Sequence, residues 1–166
     1  EFREDTELSG YAYLRLYVEA DGHDDMDLFV NLQKADADGN WIPWTTLGEP
    51  HPGAWGKMRV SRRELDPELS TRFHPVLAHK RELKLKPGEI VPVDIAIVPS
   101  SRIWHKGEKL RVQVAGRYIR EGWFEPLSWD ADNRGRHVIH TGSEYESFLQ
   151  VPVIPPRYKS GDYVYR

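Results

Sequence analysis

Four aspartates crowd together at Asp21, Asp24, Asp25 and Asp27. Carboxylates this close could ligate a hard cation such as calcium through oxygen. The competing reading is a turn leading into a strand, with one carboxylate accepting backbone N–H groups, and acids cluster at turns for that reason. The turn is the expectation here. Asp36-Ala-Asp38-Gly-Asn40 invites comparison with a calcium loop, but its glycine stands at the fourth position instead of the sixth, and the twelfth position is Leu47 instead of glutamate. A hairpin turn is predicted there. His137 and His140 have the spacing of a metal pair on a helix, but Val138, Ile139 and the following Thr-Gly favour a strand. In a strand an odd separation sends the two rings to opposite faces, so they cannot share one ion. One of them is expected to be buried and hydrogen-bonded. No metal ligand set and no cofactor site is predicted.

Nucleophilic catalysis needs a nucleophile, a histidine and an orienting acid. Serines and histidines are present, but the G-x-S-x-G elbow is absent, and Gly142-Ser143 lacks the second glycine. Its surroundings predict a turn between strands. No catalytic residue is assigned. Cysteine is absent, which excludes disulfides, thiolate metal sites and a thiol nucleophile. Lys57, Arg59, Arg62 and Arg63 make a basic stripe. With a net charge of −3 and no nucleic-acid motif, a solvated sheet face explains it better than a nucleic acid, although Arg62 or Arg63 could pair with a partner's carboxylate.

The aromatic content is the least ordinary feature, with 6 Trp, 8 Tyr and 5 Phe. Exposed rings on a β-sandwich can stack on sugars; Trp41, Trp44 and Trp55 are the candidates. Trp and Tyr are also enriched where proteins touch each other. Trp104, Trp123, Phe124 and Trp129 are the candidates for contact with a neighbouring domain. Trp104 is also expected to plug the end of the core.

These side chains need a scaffold, and the pattern is that of short strands. Val91, Val93, Ile95 and Ile97 alternate with Pro92, Asp94, Ala96 and Val98; Leu110, Val112 and Val114 alternate with Arg111 and Gln113. A period of two with one apolar face marks half-buried strands. Pro99 is expected to end the first, with a ten-residue connection through Trp104 and a turn at Gly107. Ala12, Leu14, Leu16 and Val18 oppose Tyr13, Arg15, Tyr17 and Glu19, a strand with one wet, aromatic-rich face. Residues 1–9 read as a polar lead-in. Met26, Leu28, Val30 and Leu32 line the next strand, residues 41–53 read as a loop, and 54–61 as a strand with Met58 and Val60 inward. Ser61 with Glu64, or Asp66-Pro67, could start a single helical turn. Residues 117–135 form a long excursion. Two last strands at 136–141 and 147–154 precede a possible flexible tail at 157–166. About seven strands predict one all-β domain over 1–166, an antiparallel β-sandwich of jelly-roll type.

At 166 residues the chain is long enough for a full core, and its 39% hydrophobic and 30% charged residues describe a globular protein. No apolar run approaches the roughly 20 residues of a membrane helix, so no membrane partner is expected. The absence of cysteine does not fix the compartment; a cytoplasmic location is the default expectation. The chain opens at Glu1 without methionine, which suggests a domain excised from a larger protein.

An ordered set of segments carries a family resemblance. It runs from E-D-T-E-L-S-G at Glu4–Gly10 through D-D-M-D-L-F-V-N-L-Q-K at Asp24–Lys34, D-A-D-G-N at Asp36–Asn40 and M-R-V-S-R-R-E-L-D at Met58–Asp66. It continues through the strand pair between Gly88 and Gly116, N-R-G-R-H-V-I-H-T-G at Asn133–Gly142 and L-Q-V-P-V-I-P-P at Leu149–Pro156. Together these resemble the C-terminal, non-catalytic β-domain of the X-Pro dipeptidyl-peptidase, cocaine esterase and glutaryl acylase group of serine hydrolases. The resemblance implies a galactose-binding-like jelly roll. It also implies a partner, the α/β-hydrolase catalytic domain of the same parent chain, which carries the Ser-His-Asp triad and which the β-domain stabilises. None of the triad motifs maps onto this sequence. A stand-alone sugar-binding module is the alternative, and a homo-oligomer stays open.

Overall fold

The computed structural model describes residues 1–46, 48–51, 53–119, 131 and 133–155. Two antiparallel sheets pack face to face. The first is built around β1 (Thr6–Asp21), which pairs from Thr6 to Val18 with β7 (Val91–Trp104) on one edge. On its other edge β11 (Val153–Ile154), β10 (Phe148–Gln150) and β9 (Arg136–His140) follow one another. The second is built around β2 (Asp27–Ala35), with β8 (Lys109–Ala115) on one edge and β6 (Ala54–Arg59) and β3 (Trp41–Ile42) on the other. A separate ribbon pairs β4 (Trp44–Thr46) with β5 (Glu49–His51).

The alternation in the sequence decides which face meets which. Leu14, Leu16 and Val18 of β1, Leu28, Val30 and Leu32 of β2, Met58 of β6 and Val93, Ile95 and Ile97 of β7 interlock in one core. Side chains of period two on two facing sheets produce this layer. Where β6 meets β7 the sheets close on each other, because a Cβ at Gly56 would run into the Ala96 carbonyl. Only glycine lets the two backbones approach there.

Several local expectations are corrected. Residues 6–10 are not a lead-in: they are the first third of β1, paired with Ser100–Trp104. Pro99 does not end β7. The register shifts between Gly10 and Ala12, so Tyr11 opposes both Val98 and Pro99, and a bulge needs no ladder donor from the proline. The link from β7 to β8 is therefore short, closed by the Glu108 N–H on the His105 carbonyl at 3.0 Å with Gly107 at φ +89°. Residues 41–53 contain β3, β4 and β5, with Gly48 (φ +84°) turning the β4–β5 ribbon. Val151 and Pro152 split the last predicted strand into β10 and β11. The Ser61–Glu64 spacing caps nothing. Val60–Arg62 is a 3₁₀ turn without a side-chain cap, and Glu64 instead accepts from Arg81. Asp66 does behave as a cap, its carboxylate accepting the N–H groups of Glu68 (2.9 Å) and Leu69 (3.0 Å). The tail at 157–166 lies outside the described residues.

Candidate functional site

The aspartates at the β1–β2 turn each have a structural partner. Asp25 is buried, and its Oδ1 accepts the N–H groups of Met26 and Ser61 at 2.9 Å each, while Lys84 Nζ lies 3.1 Å from Oδ2. Burial alone would raise this carboxyl, but the hydrogen bonds from Ser61, Lys84 and Met26 hold it below the usual carboxylate value. Asp27 takes a two-point contact from Arg59, both bonds 2.8 Å, and Asp21 takes Arg136. Among the described residues no group of three or more acids and histidines is arranged to hold a metal ion. The Asp36–Asn40 segment is the predicted hairpin turn, with the Asn40 N–H on Asp36 Oδ1 at 2.8 Å and Gly39 at φ +91°.

The two histidines of β9 separate as their spacing requires. His137 is the cross-strand neighbour of Ala20 and packs against Gly116; burial holds its imidazole below the ordinary value. His140 pairs with Tyr17, and its Nε2 lies 3.0 Å from Glu19 Oε2. Ser143 sits in a tight turn, closed by the Tyr145 N–H on the Gly142 carbonyl at 2.7 Å. It is no nucleophile elbow.

The basic stripe borders a cleft of about 360 Å³ lined by Phe29, Lys57, Arg59, Arg62, Leu77 and His79. Its cations are engaged within the domain: Arg59 with Asp27, Arg62 with Glu82 at 3.9 Å, and Arg63 with the carbonyls of Val60 and Leu83. Burial lowers the Lys57 ammonium, with Asp27 opposing the shift.

The aromatic candidates do not form one site. Trp41 pairs with Ala35 and Trp55 with Asn31, so both rings lie on the same outer face of the β2 sheet, about 13 Å apart along the strand direction. Trp44 is in the β4–β5 ribbon, where the Arg102 guanidinium lies 5.4 Å from its ring centre. Arg102 also donates to the Ile42 carbonyl at 3.0 Å, and burial pushes its pKa down to about 10. Trp104 is 4% exposed, at the end of β7 with the Phe2 ring 5.7 Å away, which is the core plug expected of it. Trp123, Phe124 and Trp129 lie outside the described residues.

One feature went unnoticed in the sequence and another was visible there only in part. The first is a latch at Asn133. Its Oδ1 accepts the Asp27 N–H at 2.7 Å, and its Nδ2 donates to the carbonyls of Asp27 (3.0 Å) and Gly116. The amide thus bridges the start of β2 and the end of β8 as a strand residue would. Asn133→Asp puts an oxygen where two carbonyls need a donor, and it is expected to cost about 2–3 kcal/mol, read by urea unfolding. The second is the outer face of the β1 sheet. Arg15 and Asp94, cross-strand neighbours, form a two-point ion pair of 2.7 and 2.5 Å in its middle, and the hydrogen bond to Asp94 raises the Arg15 pKa. Around the pair stand Tyr13 and Phe148 in edge contact at 5.7 Å, Tyr17 beside Tyr145 at 5.4 Å, and Tyr11 stacked on His74 at 4.2 Å. The Arg15–Asp94 pair neutralises its own charge within this face, which also carries Glu7, Ser9 and Ser101 at the far end of β1.

Residues 1–150 match the X-Pro dipeptidyl-peptidase C-terminal non-catalytic domain. Two solved structures of a CocE/NonD family hydrolase from Staphylococcus aureus resemble the chain at 40% identity, with TM-scores of 0.86 and 0.85. They cover 93% and 92% of this chain but only 29% of their own. An α-amino acid ester hydrolase shares the fold at 14% identity and a TM-score of 0.62, over 92% of this chain and 24% of its own. None of the curated proteins matches.

Proposed function

The chain belongs to the X-Pro dipeptidyl-peptidase C-terminal non-catalytic domain family, and from that premise we propose that it is the accessory domain of a larger α/β-hydrolase-type serine hydrolase. The parent would cleave small acyl esters or amides, or release X-Pro dipeptides, with a triad carried elsewhere in its chain. This domain would pack on the catalytic portion and stabilise it. One observation carries the reading: the chain spans less than a third of the length of the hydrolase it superposes on. The ordering of its own polar groups supports it, since Asp25, Asp27, Asp94 and Asn133 are each bound to backbone or to an opposite charge. The sandwich is read as the jelly-roll, galactose-binding-like type.

The test is the size and behaviour of the native gene product. An antibody against this domain should detect a species several times heavier than the domain alone, and that species should react with a serine-directed inhibitor. Expressed without this domain, the parent should inactivate at a lower temperature than the whole. A native species no heavier than these 166 residues would overturn the reading.

A further inference from the structure

We propose that the outer face of the β1 sheet, centred on Tyr11, Val98 and Phe148, is the surface on which the hydrolase portion of the parent chain seats. The inference rests on the accessory-domain reading above and adds the face and its anchors. Large hydrophobic side chains left exposed are unevenly shared between the two sheets. Tyr11 (47%), Val98 (38%), Phe148 (39%) and Ile154 lie on the outer face of the β1 sheet, whereas the outer face of the β2 sheet exposes Trp41. Phe73, at 53%, adjoins the same face, because its neighbour His74 stacks on Tyr11. The outer side of the β2 sheet sets Trp41 and Trp55 among Lys57, Arg59, Arg111, Gln33 and Gln113.

Scattered exposed apolar residues are ordinary, but a contiguous set on one sheet face marks an interaction surface. Its rings, Tyr11, Tyr13, Tyr17, Tyr145 and Phe148, are of the types enriched at interface centres. At its middle the Arg15–Asp94 ion pair is matched in place, and the His140 ring lies against Glu19. Burying the Arg15–Asp94 pair would strand neither partner. The occupant follows from the comparison. The S. aureus hydrolase chains extend far beyond the matched domain, 29% of each being covered, and the matched family is a C-terminal domain. The remainder of such a chain is covalently tethered to this face's own strand, β1, which makes contact with it effectively intramolecular.

The experiment is hydroxyl-radical footprinting of the full-length parent chain, with Trp41 on the opposite sheet as the exposed reference. Tyr11 and Phe148 should label about tenfold more slowly than their exposure in this domain implies when scaled to Trp41, as residues at a desolvated interface centre do. In the same chain, Tyr11→Lys and Val98→Lys should raise the rate at which limited proteolysis frees the domain, while Arg111→Glu on the β2 sheet should not. Labelling of Tyr11 and Phe148 in proportion to Trp41, in a chain several times heavier than this domain, overturns the assignment and leaves the accessory-domain reading standing. Protection that disappears on dilution would mean a second copy occupies the face, and overturns it too. A native chain no heavier than these 166 residues would instead remove the reading on which the assignment rests.

Discussion

Asp25→Ala is expected to destabilise the domain by about 3–5 kcal/mol in urea unfolding at neutral pH, because it orphans two buried backbone donors and removes one of the carboxylates around Lys84. The site explains the size. Residues 63–90 contain no strand, only isolated bridges, and this long segment has to be fastened to the sandwich by individual bonds. The Leu83 N–H donates to the Ser61 carbonyl at 2.7 Å, the Leu85 N–H to the Asp24 carbonyl at 2.8 Å, and the Val60 N–H to the Met26 carbonyl at 2.9 Å. Asp25 sits among these, holding Met26, Ser61 and Lys84 with one carboxylate. Asp25→Asn keeps an oxygen for the two N–H groups and should lose only about 1–2 kcal/mol. The pH dependence follows from the direction of the shift. A carboxyl whose folded pKa lies below its ordinary 3.8 adds stability that is complete above that value and is lost as pH falls through the folded pKa. Urea midpoints of the wild-type chain should therefore drop below about pH 4, and the drop should be smaller in Asp25→Asn. An equal acid dependence in both chains would show that other carboxylates govern it.

The sequence made the strands easy to find and the ties between them hard. Alternation in β1, β2 and β7 is regular because each has one face in the core, and that face is recorded residue by residue. Met58 inward and Lys57 and Arg59 outward were legible for the same reason. The bulge at Pro99 was not, since whether a proline ends a strand depends on what its partner does at that point, here the register shift at Gly10 and Ala12. The strands within 41–53 were hidden because three prolines and two glycines outweigh any pattern in two- and three-residue strands. Asn133 reads locally as one more turn residue. Its function exists only because Asp27 and Gly116, far away in sequence, leave backbone groups open beside it. The wet tyrosine face of β1 was visible as alternation. Its standing as the apolar side of the molecule needed Phe148, Val98 and Ile154 to be placed beside it by pairing.

Lys34→Met should cost a similar amount, about 3–5 kcal/mol, for a different reason: it strands a carboxylate within the structure. Leu28, Val30, Leu32 and Lys34 point toward the facing sheet, so the fourth position puts an ammonium where the pattern calls for an aliphatic side chain. Lys34 is only 7% exposed. Its Nζ reaches the Ile103 carbonyl at 2.9 Å and Glu108 Oε2 at 2.5 Å, and the same oxygen accepts the His105 N–H at 2.6 Å. Removing the lysine leaves Glu108 with one donor in place of two and takes a donor from Ile103. Removing both charges is another matter. In Lys34→Met with Glu108→Gln the amide can still accept from His105, no ion is buried, and the double variant should recover most of the loss. A double-mutant cycle by urea unfolding reads the coupling directly, and additive losses would show that the pair does not act as one. The pair also lies where the chain begins: the Phe2 N–H bonds to the Glu108 carbonyl and the Gly107 N–H to the Phe2 carbonyl, both at 2.9 Å. A Lys34→Met chain should therefore loosen first at residues 1–5, and hydrogen exchange of the Phe2 and Gly107 amides should rise before that of the β1–β7 ladder.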